Sequence, residues 1–98
     1  MANGITGTIL KAQSVTDIKT INVIFESKGV KYEISDLCLI FSGIHQNKSR
    51  MYCHGKCIHD NVEYKQVSLN IFFSQDFPIT YHIAIEDFIN QEANLFLA

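Results

Sequence analysis

Apolar and polar side chains alternate along most of the chain with the period of two that is typical of β-strands. Ile21, Val23 and Phe25 form one such series, which residues 27–29 interrupt before a second series begins. Two alternating series joined by a short connection that contains glycine predict a β-hairpin. We expect Gly29 to adopt the positive φ that such a turn requires.

A second hairpin is predicted in the middle of the chain. Its arms are residues 50–59 and 62–73, and Asp60 and Asn61 form the turn, because Asn tolerates a left-handed backbone. The segment 36–45 contains a continuous apolar run that fits either a strand buried on both faces or one buried helical turn. Its length favours the strand. Further strands are predicted at residues 4–12 and 79–85.

The C-terminal segment changes to a helical period. Apolar residues there fall at the spacing of one helix face, and they are Phe88, Ile89, Ala93, Phe96 and Leu97. Glu86 and Asp87 stand in the first turn, where the helix dipole favours carboxylates. The whole pattern predicts a mostly β (α+β) fold. We expect a small antiparallel β-barrel or strongly twisted sheet of roughly six or seven strands, with one C-terminal α-helix packed against it.

Length and composition narrow the class of protein. The chain has 98 residues, of which 47% are hydrophobic and 18% are charged, so we expect a single folded domain over residues 1–98. No apolar run reaches the roughly 20 residues of a membrane span, so no membrane association is predicted. The N-terminus lacks a secretory signal pattern and the three cysteines are an odd number, which together predict a cytoplasmic location. The excess of isoleucine over alanine fits a bacterial or phage coding sequence.

Charge is distributed unevenly along the chain. All eight Lys and Arg residues lie between Lys11 and Lys65, interleaved with acidic residues, which argues against a nucleic-acid partner. From Gln66 onward the charged side chains are all acidic. We therefore predict an acidic C-terminal surface that binds another protein through a basic surface of that partner. The residues predicted to form it are Asp76, Phe77, Glu86, Asp87 and Glu92.

The densest group of reactive side chains lies between Cys53 and His59. Thiolates and imidazoles are the usual ligands of zinc, so Cys53, Cys57 and His59 are candidate zinc ligands. In an extended strand the two cysteines would be roughly 13 Å apart, too far for one ion to contact both. A tight turn at Gly55 would instead bring them together. The alternative interpretation is that both cysteines are small buried apolar side chains.

Residues 34–36 (Ile-Ser-Asp) and 42–44 (Ser-Gly-Ile) resemble the second motif of the PilZ domain. That family of cyclic-di-GMP receptors is built on a small β-barrel followed by a C-terminal helix. The spacing here differs from the motif, and the family's arginine pair is missing because Arg50 is the only arginine in the chain. The resemblance therefore implies a degenerate, PilZ-like nucleotide-sensing barrel, and no family is assigned.

The sequence contains no coherent catalytic motif, neither a glycine-rich phosphate loop nor a nucleophile elbow. The leading prediction is a small non-enzymatic protein-interaction module, such as an adaptor, an immunity protein or an inhibitor. A zinc-binding domain and a PilZ-like barrel are the alternatives. A homodimer is a further option, because an unpaired edge of the first strand would offer a seam for a second copy.

Overall fold

The structure is a computed structural model that describes residues 4–15, 20–45, 48–73 and 84–98. For residues 41–45, 48 and 49 it describes the backbone only. The strands are β1 (Ile5–Ser14), β2 (Thr20–Ser27), β3 (Val30–His45), β4 (Lys48–His59), β5 (Val62–Phe72) and β6 (Glu92–Leu97). A 3-10 turn at Ile85–Phe88 precedes β6. Residues 79–83 of the strand predicted at 79–85 lie outside the described residues.

The six strands form one closed antiparallel barrel. Strands that follow one another in sequence are neighbours, and β6 returns to pair with β1. The prediction of a mostly β, barrel-like fold is confirmed. β2 pairs with β1 from Thr8 to Ser14 and β6 pairs with it from Ile5 to Thr8, so each edge of the first strand is paired over part of its length, and a dimer seam there stays a prediction.

Both predicted hairpins are confirmed. β2 and β3 are joined at Lys28 and Gly29, whose φ angles are 53° and 80°. β4 and β5 are joined at Asp60 and Asn61, whose φ angles are 51° and 62°. Positive φ at both central residues gives a two-residue turn whose twist matches that of the flanking strands. The segment 36–45 is extended, as its length predicted, and forms part of β3.

The predicted C-terminal helix is wrong. Its last turns are instead the strand β6, which pairs with β5 on one side and with β1 on the other. Ala93 and Leu95 are buried in the barrel and Asn94 between them is half-exposed, so the period is two. Pairing on both sides satisfies backbone groups that an open sheet under a helix would leave unpaired at its edges. In the described ranges no helix is long and apolar enough to cross a membrane.

The first residues of the predicted helix form the 3-10 turn. The turn packs against the core, and the residues that follow it are hydrogen-bonded to β1. Phe88 is buried against Phe73, with ring centroids 5.2 Å apart. The backbone N–H of Asn90 donates to the carbonyl oxygen of Ile9 at 2.8 Å, and the N–H of Ile9 donates to the carbonyl oxygen of Gln91 at 3.0 Å. Asn90 has a φ of 69°, so the chain reverses there and enters β6 extended.

Apolar side chains fill the interior of the barrel. Two glycines allow close backbone approach: a Cβ on Gly7 would clash with the carbonyl oxygen of Glu26 and the ring of Phe25, and a Cβ on Gly55 would lie 2.7 Å from the carbonyl oxygen of Ser35. Both approaches are too close for a real Cβ atom, so these positions need glycine. The buried residues are Ile9, Ile21, Val23, Phe25, Ile34, Leu37, Met51, Cys53, Cys57, Val67, Leu69, Ile71, Phe73, Phe88, Ala93 and Leu95.

A bulge in β3 bends the strand and resets which of its side chains face inward. The register of β3 shifts against both β2 and β4 around Asp36, whose φ is 55°. The backbone N–H of Asp36 donates a hydrogen bond to Asn22 Oδ1 at 3.1 Å. Ile34 and Leu37 are therefore both buried although they are three positions apart. Bulges of this kind supply the local curvature that closes a small barrel.

Leu95 distinguishes the strand from the helix. It is fully buried and stands opposite Ile5 and Leu69, so Leu95→Ala should lower the free energy of unfolding by about 3 kcal/mol. Phe96 is only half-buried, and Phe96→Ala should cost about 1 kcal/mol. Chemical denaturation measures both values, with the exposed Glu92→Ala as a control. A helix with Phe96 on its buried face would reverse the order of the two losses.

Candidate functional site

The candidate zinc ligands lie on β4 but do not converge. Cys53 and Cys57 are buried in the core, and the strand that carries them is extended through Gly55 rather than turned. Four strand positions separate the two cysteines by roughly 13 Å. His59 stands at the end of β4, where its ring stacks on Tyr32 with ring centroids 4.2 Å apart. Among the described residues, no three His, Cys, Asp or Glu side chains are placed to hold a metal ion.

Burial also disfavours the thiolate form of the two core cysteines. It raises the pKa of Cys53 to about 12, with a smaller contribution from the neighbouring thiol of Cys38. Burial raises the pKa of Cys57 as well, and the carboxylate of Glu33 adds to that shift. Zinc ligands and nucleophiles need the thiolate form. The placement of Cys53 and Cys57 therefore fits the interpretation that they are small apolar side chains.

Thiol labelling tests this assignment. Cys38 is exposed, so an aromatic disulfide reagent at about pH 8 should modify one cysteine rapidly in the folded protein and all three after denaturation. Cys38→Ser should remove the rapid reaction. Comparable rates for all three thiols in the folded protein, or thiol protection by added zinc, would contradict a packing role for Cys53 and Cys57.

The predicted acidic surface is only partly presented to solvent in the described residues. Glu86 and Glu92 are exposed, and Glu92 stands directly opposite Phe72 across the β5–β6 pair. Asp87 is half-buried, and its carboxylate accepts a hydrogen bond from the backbone N–H of Ala84 at 3.2 Å. Glu86 and Glu92 are therefore the carboxylates most able to meet a partner. The other two predicted residues, Asp76 and Phe77, lie outside the described residues.

A second candidate surface, which the sequence analysis missed, lies on the outer face of the barrel. Five residues stand directly opposite one another on consecutive strands from β1 to β5, and we call them the Ile58 row. They are Lys11, Ile24, Glu33, Ile58 and Glu63. Ile58 is 63% exposed, more than any other large apolar residue in the described part of the chain. A glutamate flanks it on each side, so an apolar anchor and two carboxylates share one surface.

The alternation of the strands contained a signal for this row. Ile24 stands between the inward-facing Val23 and Phe25 of β2, and Ile58 follows the inward-facing Cys57 of β4. Neighbouring strand residues point to opposite faces of a sheet. An apolar residue next to an inward-facing one therefore lies on the outer face. Sequence alone could not show that Ile24 and Ile58 would meet the same glutamate, because that requires the register of three strands.

The Ile58 row borders an open groove of about 260 Å³. Ile24 and Ile58 line it on either side of Glu33, with Ser35 beside Glu33 on β3 and Lys11 on β1. Glu33 is exposed, and within the described ranges no Lys or Arg side chain forms an ion pair with it. A carboxylate between two aliphatic side chains can bind a group that combines an apolar stem with a positive charge.

Comparisons of this chain with protein-family models, with curated proteins and with solved structures found no match. In the structure, residues 34–36 of the PilZ-like motif contribute to the barrel and the groove. Ile34 is in the core, Ser35 lines the groove and Asp36 forms the bulge. The side chains of residues 42–44 lie outside the described part.

Proposed function

We propose that this chain is a small non-enzymatic protein-interaction module whose partner presents basic and apolar side chains. The observation that carries the proposal is the exposure of Ile58 between Glu33 and Glu63 on the outer face of the barrel. An apolar side chain on a rigid sheet can be desolvated by a partner without disturbing the fold, which is how binding hot spots arise.

The two carboxylates directly opposite Ile58 support a basic partner, and Lys11 and Lys56 lie further along the same face. Glu33 and Glu63 are cross-strand neighbours of Ile58, so a cation on the partner could approach either carboxylate while an apolar group covers Ile58. Such pairs steer the encounter and set specificity more than they add raw affinity. Binding should accordingly weaken as salt rises, because exposed carboxylates are screened.

The proposal includes the acidic C-terminal surface as a separate contact with a basic partner. Glu86 and Glu92 are exposed and project from the segment around the 3-10 turn and the start of β6. Asp87 contributes less in this account, because its carboxylate already accepts the hydrogen bond from Ala84. Asp76 and Phe77 remain part of the proposed contact on sequence grounds alone.

Selection from a random peptide library displayed on phage tests the proposed function. Immobilised wild-type protein should enrich peptides that combine Lys or Arg with apolar residues, and elution should become easier at high salt. Ile58→Lys should reduce the affinity of the selected peptides about tenfold or more, because it removes the apolar anchor and adds a like charge. The matched control is Val15→Lys, which changes an apolar residue that is 43% exposed away from the Ile58 row.

The same selected peptides distinguish the two surfaces. The double variant Glu86→Lys, Glu92→Lys should bind the selected peptides with lower affinity, because the proposal includes a contact with the C-terminal surface. Failure to enrich any peptide, or enrichment of peptides that lack basic residues, would contradict the proposed function. Peptides that bind Ile58→Lys as tightly as the wild type would remove the Ile58 row from it.

A further inference from the structure

We infer that the groove beside the Ile58 row holds an arginine side chain of the partner, with its guanidinium group on the carboxylate of Glu33. The inference rests on the proposed function and specifies its partner at the level of one side chain. In this arrangement the methylene stem of the arginine lies along Ile24 or Ile58 while the charged end reaches Glu33.

The order of residues across the strands supports this occupant. Ile24 on β2, Glu33 on β3 and Ile58 on β4 are consecutive cross-strand partners. Neighbouring strands lie about 4.8 Å apart, so an aliphatic side chain stands within one strand spacing of the carboxylate on each side. A long basic side chain has the matching pattern, because its stem is apolar and its end is charged.

The state of Glu33 also favours a cation from outside the chain. Its side chain is exposed, and none of the described Lys or Arg residues pairs with it. The direct cross-strand partners of Glu33 are isoleucines, and the nearest lysines on that face, Lys31 and Lys56, stand opposite Glu26 and Ser35 instead. A partner cation can therefore take this position without first breaking an internal ion pair.

Arginine fits the groove better than lysine. A guanidinium group is planar, carries five donors and can bind a carboxylate through two parallel hydrogen bonds. It is also less strongly hydrated than an ammonium group, so it loses less on entering a groove with aliphatic walls. Ser35, next to the carboxylate in the groove lining, offers a hydroxyl oxygen that can accept a further N–H bond. Lys11 also lines the groove, at its β1 end, so we expect the guanidinium group at the Glu33 end.

A titration with a minimal ligand tests the inference. The probe is the blocked tripeptide acetyl-Gly-Arg-Gly-amide, added to isotope-labelled protein and followed by the amide resonances. The largest shifts should fall on the segments that carry Ile24, Glu33 and Ile58. The same peptide with citrulline, which keeps the shape but lacks the charge, should bind at least about tenfold more weakly.

Substitution of Glu33 tests whether its carboxylate binds the arginine side chain. Glu33→Gln keeps the size of the side chain and removes its charge, so it should weaken the arginine peptide about tenfold and leave the citrulline peptide unchanged. Asp60→Asn is the matched control and should bind like the wild type, because it removes one exposed carboxylate from the β4–β5 turn, outside the groove lining. The spectrum of each unliganded variant shows whether the barrel remains folded.

Three results would overturn the inference: equal binding of the arginine and citrulline peptides, full binding by Glu33→Gln, or shifts confined to Glu86 and Glu92. If the library-selected peptides still bind in any of these cases, the proposed function stands and only the groove assignment fails. If neither the selected peptides nor the arginine peptide binds, both fail.

Discussion

The two-sided pairing of β6 is the interaction on which the rest of the structure depends. Thr6 and Asn70 stand on either side of Asn94, and Thr6 Oγ1 donates a hydrogen bond to Asn94 Oδ1 at 2.9 Å across 88 residues of sequence. Without this strand, β1 and β5 would each present a row of unpaired backbone groups. The same strand places Ala93 and Leu95 in the core, so closure of the barrel and completion of the interior occur together.

Closure has a consequence for function. The interior is packed with apolar side chains and the sheet closes on itself, so under the proposed function a partner contacts the outer face of the strands and the segments at the barrel ends. On that face the bulge at Asp36 and the register shift of β1 next to Leu10 curve the sheet near the groove. Glu33 therefore lies between Ile24 and Ile58 because of the register of β2, β3 and β4 in the curved sheet.

The hairpins could be predicted from the turn residues alone. The secondary structure of the C-terminal segment depends on pairing with strands that are distant in sequence. The turns at Gly29 and Asn61 depend on residues that tolerate positive φ, and sequence shows these directly. The last ten residues carry apolar side chains that satisfy either period, since Ala93 belongs both to the helical series and to the alternation with Leu95. Only the partners on β1 and β5 select the strand, and they are distant in sequence. For the same reason, sequence could identify the cluster between Cys53 and His59, whose members are close in the chain. It could not identify the Ile58 row, whose members come together only through the register of five strands.

The most direct test of this account is a nuclear Overhauser spectrum of the labelled protein. The barrel predicts cross-strand contacts from Asn94 to both Thr6 and Asn70, together with strong sequential Hα–HN contacts along residues 92–97. A C-terminal helix would instead give strong sequential HN–HN contacts and Hα–HN contacts three residues apart over residues 88–97. The first pattern would confirm the closed barrel, and the second would contradict it together with the surface derived from it.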